Sequence, residues 1–406
     1  MNSPHAARPP SVELLEALYP PPVRVGAAHE QSQRFGDQKV AYTAFPSVER
    51  ARILVSSGAH HASARAIARQ LTGQRRRTRI ARRLVSSAAR HGVLDRVPRS
   101  QVTVTASGDE ERFEQRLARA LEVPGVHLTI PIGPPRANRK PILQVSDLAG
   151  NPLAFVKVGH NPLTRSLVEA EGRSLRVVAR SAGNEIEAPR LRAEFEWYGS
   201  QVLMMSALQI PTRRLSVADS RDRLEQLAMQ IASLEGPVQR VPWRVHPLRR
   251  RLHWAFDGLG ERGQPFLAEL ETLDDDAAMS VGAWHGDFNP GNFALMSGPC
   301  QVWDWERFEG GVPFGFDILH HDLHRWITIE RVKPEEAADR LLSRSTDLLA
   351  DALPPAERLM TARTYLLTLA ERYLRDNQEQ AGANLGRVTS WLLPALMRHS
   401  NGKGQR

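Results

Sequence analysis

The stretch "WHGDFNPGNF", Trp284 to Phe293, sets a histidine, an aspartate and two asparagines around a Pro-Gly turn, and Asp304 follows in the apolar-flanked "VWDWE". Phosphoryl transfer needs a carboxylate that orients the attacking hydroxyl and takes its proton. It also needs an amide or carboxylate oxygen, with a second carboxylate, to hold Mg²⁺ between the phosphates. Asp287, Asn292 and Asp304 are the right types in the right order. Pro290 and Gly291 permit the tight turn that returns Asn292 to Asp287. The competing reading of the same residues is an ordinary turn with an Asx cap and a buried histidine.

A second pair lies upstream. Lysine occurs only five times in this arginine-rich chain, and one of the five, Lys157, sits in the apolar run "LAFVKVG". Glu171 lies four residues after Leu167 and four before Leu175, inside the apolar stripe of a helix. A carboxylate facing a core is costly unless paired, and Lys157 on the preceding strand is the obvious partner. The alternative is a lysine on an edge strand and a glutamate at a helix margin.

These residues need elements to carry them. "VHLTIPI", "PILQVSD" and "PLAFVKV" read as three strands, with "LAGN" turning between the last two. Asn161 reads as an N-cap with Pro162 first in a helix that runs to about Ala182. "PRLRAEFEW" and "SQVLMMSAL" suggest two more strands, giving a five-strand, one-helix unit. Beyond Pro211 the pattern is mostly helical: Leu224, Leu227, Ile231 and Leu234 form one stripe ended by Gly236, and four further helical stretches lie between about Phe316 and His399. Upstream, "RILVSS" reads as a strand and Ala62 to His91 as helical, while Ser107-x-x-Glu110 has the form of a capping box opening a helix with Phe113, Leu117 and Leu121. The expected organisation is an N-terminal α/β appendage at 1–110, a nucleotide-binding lobe at 111–207 and a helical lobe at 208–400 with the catalytic, metal and substrate functions.

Composition limits the classes of function. With 406 residues there is length for two or three domains. A single cysteine, Cys300, excludes an internal disulfide framework and a multi-cysteine zinc site and fits a reducing compartment. No apolar run is long enough to span a bilayer, and the N-terminus lacks the basic start and apolar stretch of a signal peptide, so a cytoplasmic location is expected. The net charge of +9 is concentrated in residues 1–100, which hold 17 basic and 6 acidic residues, mostly through "QRRRTRIARR" at 74–83. That segment suggests an anionic partner, nucleic acid or a membrane surface, or simply a solvated face; no interleaved aromatics are there to stack on bases.

From about Val126 to His324 the chain resembles the aminoglycoside phosphotransferase / choline kinase group of protein-kinase-like small-molecule phosphotransferases. "HGDFNPGNF" is similar to that group's catalytic loop, "VWDWE" to its metal-binding segment and "GVPFGFDILHH" to the helix start that follows. The resemblance implies a bilobal α+β fold, with a small five-stranded antiparallel N-lobe bearing one helix and a larger helical C-lobe. It implies Asp287 as catalytic base, Asn292 and Asp304 as Mg²⁺ ligands, and Lys157 with Glu171 at the phosphates of ATP. The hinge strand "LMMSA" would receive adenine, with Met205 and Ala207 as contacts. Asp317 would be the structural aspartate, and His285 would brace the loop. Two features depart from the pattern: no Gly-rich loop exists beyond Gly133, and Trp305-Glu306 follows the metal aspartate. Histidines in "HHDLH" read as neighbours of an active site rather than zinc ligands.

The expected activity is therefore ATP- and Mg²⁺-dependent transfer of a phosphoryl group to a hydroxyl of a small molecule such as a sugar, amino sugar or amino alcohol. Two alternatives stay open: a catalytically silent kinase-like nucleotide-binding scaffold, and a nucleic-acid-binding protein acting through residues 60–95. Neither the acceptor nor the oligomeric state is legible.

Overall fold

The computed structural model describes residues 9–19, 21, 23–27, 37–58, 64, 101–107, 111–133, 136–181, 183, 185–208, 215–216, 220–381 and 384–400. The basic segment 74–83, nearly all of the helix expected over 62–91, and Glu110 of the expected capping box lie outside them. The chain folds into two compact units. The first comprises residues 1–134, 139–168 and 191–207; the second comprises 135–138, 169–190 and 208–406.

The first unit is built on one antiparallel sheet. Its strands are β1 (Arg24–Ala27), β2 (Asp37–Phe45), β3 (Ile53–Ser56), β4 (Gln101–Ser107), β5 (His127–Pro131), β6 (Ile142–Ser146), β7 (Pro152–Gly159), β9 (Leu191–Trp197) and β10 (Ser200–Ser206). They run in the order β1-β4-β2-β3-β5-β6-β7-β10-β9. The five strands of the expected lobe and the upstream strand read from "RILVSS" are thus six of nine, and the expected boundary at residue 110 falls inside a single unit. Pairing of Ile53, Leu54 and Val55 with Pro131, Ile130 and Thr129 joins the two halves of the sheet. Two helices cover one face of it: α1 (Pro10–Leu18), which buries Leu14, Leu15 and Leu18, and α2 (Phe113–Ala120), which buries Phe113 and Leu117. Ser107 ends β4 rather than capping α2. That helix starts at Phe113, where the Arg112 N–H donates to Gln115 Oε1 at 2.9 Å.

Trp197 of β9 packs 5.2 Å from the Phe113 ring and donates its indole N–H to the Leu18 carbonyl at 2.8 Å. Strand alternation does the rest. Ala154, Val156 and Val158 of β7 and Val202 and Met204 of β10 enter this helix-covered core. Lys157 is paired across strands with Leu203, and Phe155 with Met205, so all four point to the opposite face.

A helix of 20 residues, α3 (Pro162–Ser181), follows β7. Its start is capped as expected: Asn161 Oδ1 accepts the Thr164 N–H at 2.9 Å, and Thr164 Oγ1 accepts the Asn161 N–H at 3.1 Å. Its buried positions include Leu167, Val168, Glu171, Leu175 and Val178.

In the second unit α4 (Arg221–Ala232), α5 (Pro247–Gly258) and α6 (Gln264–Leu270) precede the motif region, and α7 (Phe316–Arg325), α8 (Pro334–Ser343), α9 (Ser345–Leu348), α10 (Pro355–Arg375) and α11 (Val388–Ser400) follow it. They pack around Trp243, Trp284, Trp326, Phe256, Phe266, Phe316 and Tyr365. Two small sheets interrupt the helices. One sets β12 (Ala278–Trp284) between β11 (Gln239–Pro242) and β15 (Glu309–Val312). The other sets β14 (Cys300–Val302) between β13 (Phe293–Ala294) and β8 (Ile186–Glu187). The fold is α+β, with eleven helices among the described residues. No described helix is long and apolar enough to cross a membrane.

Candidate active site

Strand β12 delivers its last residue, Trp284, into the core and releases "HGDFNPGN" as a loop. The β13–β14 hairpin brings the chain back. Phe293 pairs with Val302, and the Trp303 N–H donates to the Asn292 carbonyl at 3.0 Å. Asp304, twelve residues after Asn292 in sequence, is thereby brought to within about one residue of it across the hairpin. Asp304 itself adopts φ 69°, ψ 53°, a left-handed conformation that aspartate tolerates better than most side chains.

Asp287 is the best-held side chain of the loop. Its Oδ1 accepts from Asn289 Nδ2 at 2.9 Å and lies 3.1 Å from His320 Nε2, while its Oδ2 accepts from Asn292 Nδ2 at 2.9 Å. Because Asp287 only accepts, Asn292 must turn its nitrogen toward it, which points the amide oxygen elsewhere. Burial alone would raise the Asp287 carboxyl. The His320 hydrogen bond, then the charges that His320 and His324 carry once protonated in acid, then the Asn289 bond, outweigh burial and hold it well below the usual carboxylate range. Burial also lowers His320, so at neutral pH the ring acts on Asp287 as an N–H donor and not as an imidazolium.

The loop is fastened from three sides. Asp317, in the first turn of α7, receives the His285 N–H on Oδ2 at 2.8 Å and the Gly286 N–H on Oδ1 at 3.3 Å. Burial pushes its carboxyl up to about 7 against those two bonds and the Arg372 charge. His285 Nε2 lies 3.1 Å from the Trp303 carbonyl, and its Nδ1 accepts the Asp287 N–H at 3.3 Å, so the ring ties the loop to the strand leading into Asp304. Burial lowers its pKa to about 4, which keeps it a neutral brace. Arg372 of α10 sits 4.6 Å over the Trp284 ring and donates to the Gly286 carbonyl. Gly286 has φ +83°, and a Cβ there would stand 2.1 Å from the Arg307 carbonyl oxygen, so only glycine fits.

Glu171, Asp304 and Glu306 come together: one oxygen from each lies within 4.8 Å of the others, with Glu171 and Glu306 buried and Asp304 half-buried. Three carboxylate oxygens form a hard-oxygen set of the kind that suits Mg²⁺. Of the sequence-derived candidates, Glu171, Asp287, Asn292 and Asp304 belong to the second unit, while Lys157, Met205 and Ala207 belong to the first. Lys157 and Met205 are buried on one face of the sheet, and Ala207 is half-buried just past β10. Gly133 is exposed, with open space where a Cβ would be.

Sequence reasoning missed Glu306, Asn289, Arg372 and the contact of His320 with Asp287. Glu306 and Asn289 lay within the quoted motifs but carried no separate signal. Arg372 is 85 residues beyond Asp287, and nothing local marks it.

No protein-family model matches the chain, and no curated protein matches its sequence. Solved structures that this chain is similar to include one titled a putative fructosamine-3-kinase, from Haemophilus somnus 129PT, at 15% identity over 70% of this chain and 96% of that one, with a TM-score of 0.43. A thermostable mutant of aminoglycoside phosphotransferase APH(4)-Ia matches at 15% identity over 72% and 100%, TM-score 0.44. An ethanolamine kinase of Plasmodium vivax matches at 11% identity over 66% and 82%, TM-score 0.39.

Proposed function

We propose that this protein is an ATP- and Mg²⁺-dependent phosphotransferase that moves a γ-phosphoryl group to a hydroxyl of a small molecule, in the range of sugars, amino sugars and amino alcohols. The observation that carries this reading is the Asp287 carboxylate, held by three N–H donors in a loop whose next hairpin sets Asn292 beside the strand leading to Asp304 and the Glu171–Asp304–Glu306 oxygens.

In this reading Asp287 orients the acceptor hydroxyl and takes its proton while the oxygen bonds to phosphorus and the bond to the leaving diphosphate breaks. A carboxylate held so acidic does not deprotonate the hydroxyl beforehand; it receives the proton late, as a loose phosphoryl-transfer transition state requires. Asn292 Oδ1 and Asp304, with Glu306 as a further carboxylate, would hold Mg²⁺, which when bound neutralises charge on the phosphates. Lys157 and Glu171 would steer the phosphates, and the backbone at Met205 and Ala207 would receive adenine. Asp317, His285 and Arg372 keep the loop in register and do not touch the reacting atoms.

The test supplies ATP labelled on its γ-phosphate, Mg²⁺ and a panel of small hydroxyl compounds to wild type and Asp287→Asn. Label entering a small molecule with wild type alone supports the mechanism, and equal transfer by Asp287→Asn sinks it. Thermal stabilisation by Mg²⁺-ATP without any transfer would move the assignment to a silent nucleotide-binding scaffold.

A further inference from the structure

His320 is a buried polar group in contact with the base that the mechanism above leaves without a role. It is 2% exposed, and its ring bridges two side chains: Nε2 is 3.1 Å from Asp287 Oδ1, and Nδ1 is 3.1 Å from the hydroxyl of buried Tyr365. A carboxylate can only accept, so the proton sits on Nε2. Nδ1 is then the acceptor, and the Tyr365 hydroxyl donates to it. The ring is further fixed by stacking on His324 at 4.1 Å and by edge contacts with Trp284 and Tyr365 at 6.1 and 6.0 Å.

Counting lone pairs on Asp287 gives an asymmetry. Oδ1 receives two side-chain donors, Asn289 and His320, and is filled; Oδ2 receives only Asn292 and keeps one lone pair for a further donor. We propose that His320, set by Tyr365, is a positioning residue that occupies Oδ1 and fixes the carboxylate plane so that Oδ2 receives the acceptor's proton. The proposal rests on the phosphotransferase reading for its kinetic consequence but not for its geometry. In the transfer step the acceptor O–H bond breaks, Oδ2 gains that proton, and the hydroxyl oxygen forms the new bond to phosphorus. His320 keeps its own proton throughout. Without the His320 donor, the Asp287 plane is held only by the two asparagine amides, one on each oxygen, and its broad terminal torsion is free to drift.

The experiment compares wild type, His320→Leu, His320→Gln and Tyr365→Phe. The glutamine amide can place an N–H near the Nε2 position. His320→Leu is expected to lower kcat by roughly 10–100-fold, the loss that follows from a misplaced catalytic group. The KM for ATP and the thermal shift given by Mg²⁺-ATP should stay unchanged, and His320→Gln should recover most of the lost rate. A His320→Leu enzyme within about threefold of wild type, or a glutamine variant as slow as the leucine one, would overturn the proposal. Nitrogen-15 spectra of histidine-labelled protein supply a readout independent of turnover, with the His320 signal identified by its loss in His320→Gln. The wild type should show the Nε2–H tautomer at neutral pH, and isosteric Tyr365→Phe should show a mixture. An Nδ1–H tautomer in wild type overturns the proposal whether or not phosphate moves. Absence of transfer by wild type refutes the phosphotransferase reading instead and leaves the tautomer result to decide the geometry.

Discussion

Gly286 precedes the proposed base, and its replacement by alanine can be worked through from the structure. At φ +83° an alanine pays about 1–2 kcal/mol for the left-handed backbone. The added Cβ would stand 2.1 Å from the Arg307 carbonyl oxygen, 2.7 Å from its carbon and 2.8 Å from the Arg307 Cβ. Backbone cannot swing aside as a flexible side chain does, so loop and neighbour must separate by about 1 Å to reach ordinary contact. Overpacking of this kind costs a further 1–3 kcal/mol or so, giving about 2–5 kcal/mol in all. For a unit of this size that is a fall in Tm of roughly 5–15 °C. The displaced atoms carry Asp287 with them, and a 1 Å misplacement of a catalytic group is worth on the order of 100-fold in rate. Thermal melts and labelled phosphate transfer would be measured beside Gly298→Ala. Gly298 lies between β13 and β14 with open space where a Cβ would go, so that variant should stay within about 0.5 kcal/mol of wild type. A Gly286→Ala protein that melts within about 2 °C of wild type and keeps more than about a tenth of its rate would refute the steric argument.

Other perturbations test the rest of the second unit. His246 caps α5, its Nδ1 accepting the Leu248 N–H at 3.1 Å; burial, aided by the Arg251 charge and opposed by the Ser280 carbonyl, lowers its pKa to about 4. The unfolded chain therefore binds its proton first on acidification, and the stability present above about pH 6.5 is lost as the pH falls toward 4. Urea melts should show the gap between wild type and His246→Gln narrowing by about 2 kcal/mol from pH 8 to pH 5, and a constant gap would count against a depressed pKa. Glu306→Gln removes one carboxylate from the oxygen cluster and should raise the Mg²⁺ needed for half-maximal nucleotide binding by about tenfold; superimposable Mg²⁺ titrations would remove Glu306 from the site. Arg363→Met strands Glu269, whose partner guanidinium lies 3.3 Å away with a side chain only 5% exposed, and should cost about 3–5 kcal/mol in urea melts. Arg398→Ala, at a solvent-exposed pair with Asp339, should cost far less than Arg363→Met, and equal losses would contradict the burial argument.

Legibility in the sequence followed how local each determinant is. The strands carrying Lys157 and Met205 were readable because β-branched and apolar residues alternate there between turn residues. The start of α3 was readable because Asn161 and Pro162 are a cap and a first-turn proline. The loop proposed as catalytic stood out because Asp287, Asn292 and the Pro-Gly turn lie within seven residues. The determinants that escaped depend on distant partners. Arg372 reaches Gly286 from another helix, His320 reaches Asp287 across 33 residues, and Glu306 gains meaning only when Glu171 and Asp304 stand beside it. Sheet order was equally hidden: nothing in "RILVSS" names β5 as its neighbour, because pairing between strands 70 residues apart is decided by the shared core. A motif reports what chemistry is near; the side chains that hold it still are spread over the chain and carry no spacing of their own.

The junction of β3 with β5 changes how the N-terminal region should be regarded. Strands β5, β6, β7, β10 and β9 would by themselves form a sheet whose β5 flank exposes a row of unpaired N–H and C=O groups beside Leu128 and Ile130, the kind of border that templates self-association. Residues 53–56 occupy that border permanently, and α1 and α2 seal the apolar face behind it. A chain beginning at residue 111 would lose β3 and α1 while keeping α2 and every residue assigned to chemistry. Such a chain is expected to aggregate rather than to behave as a minimal enzyme, and light scattering during refolding would show it.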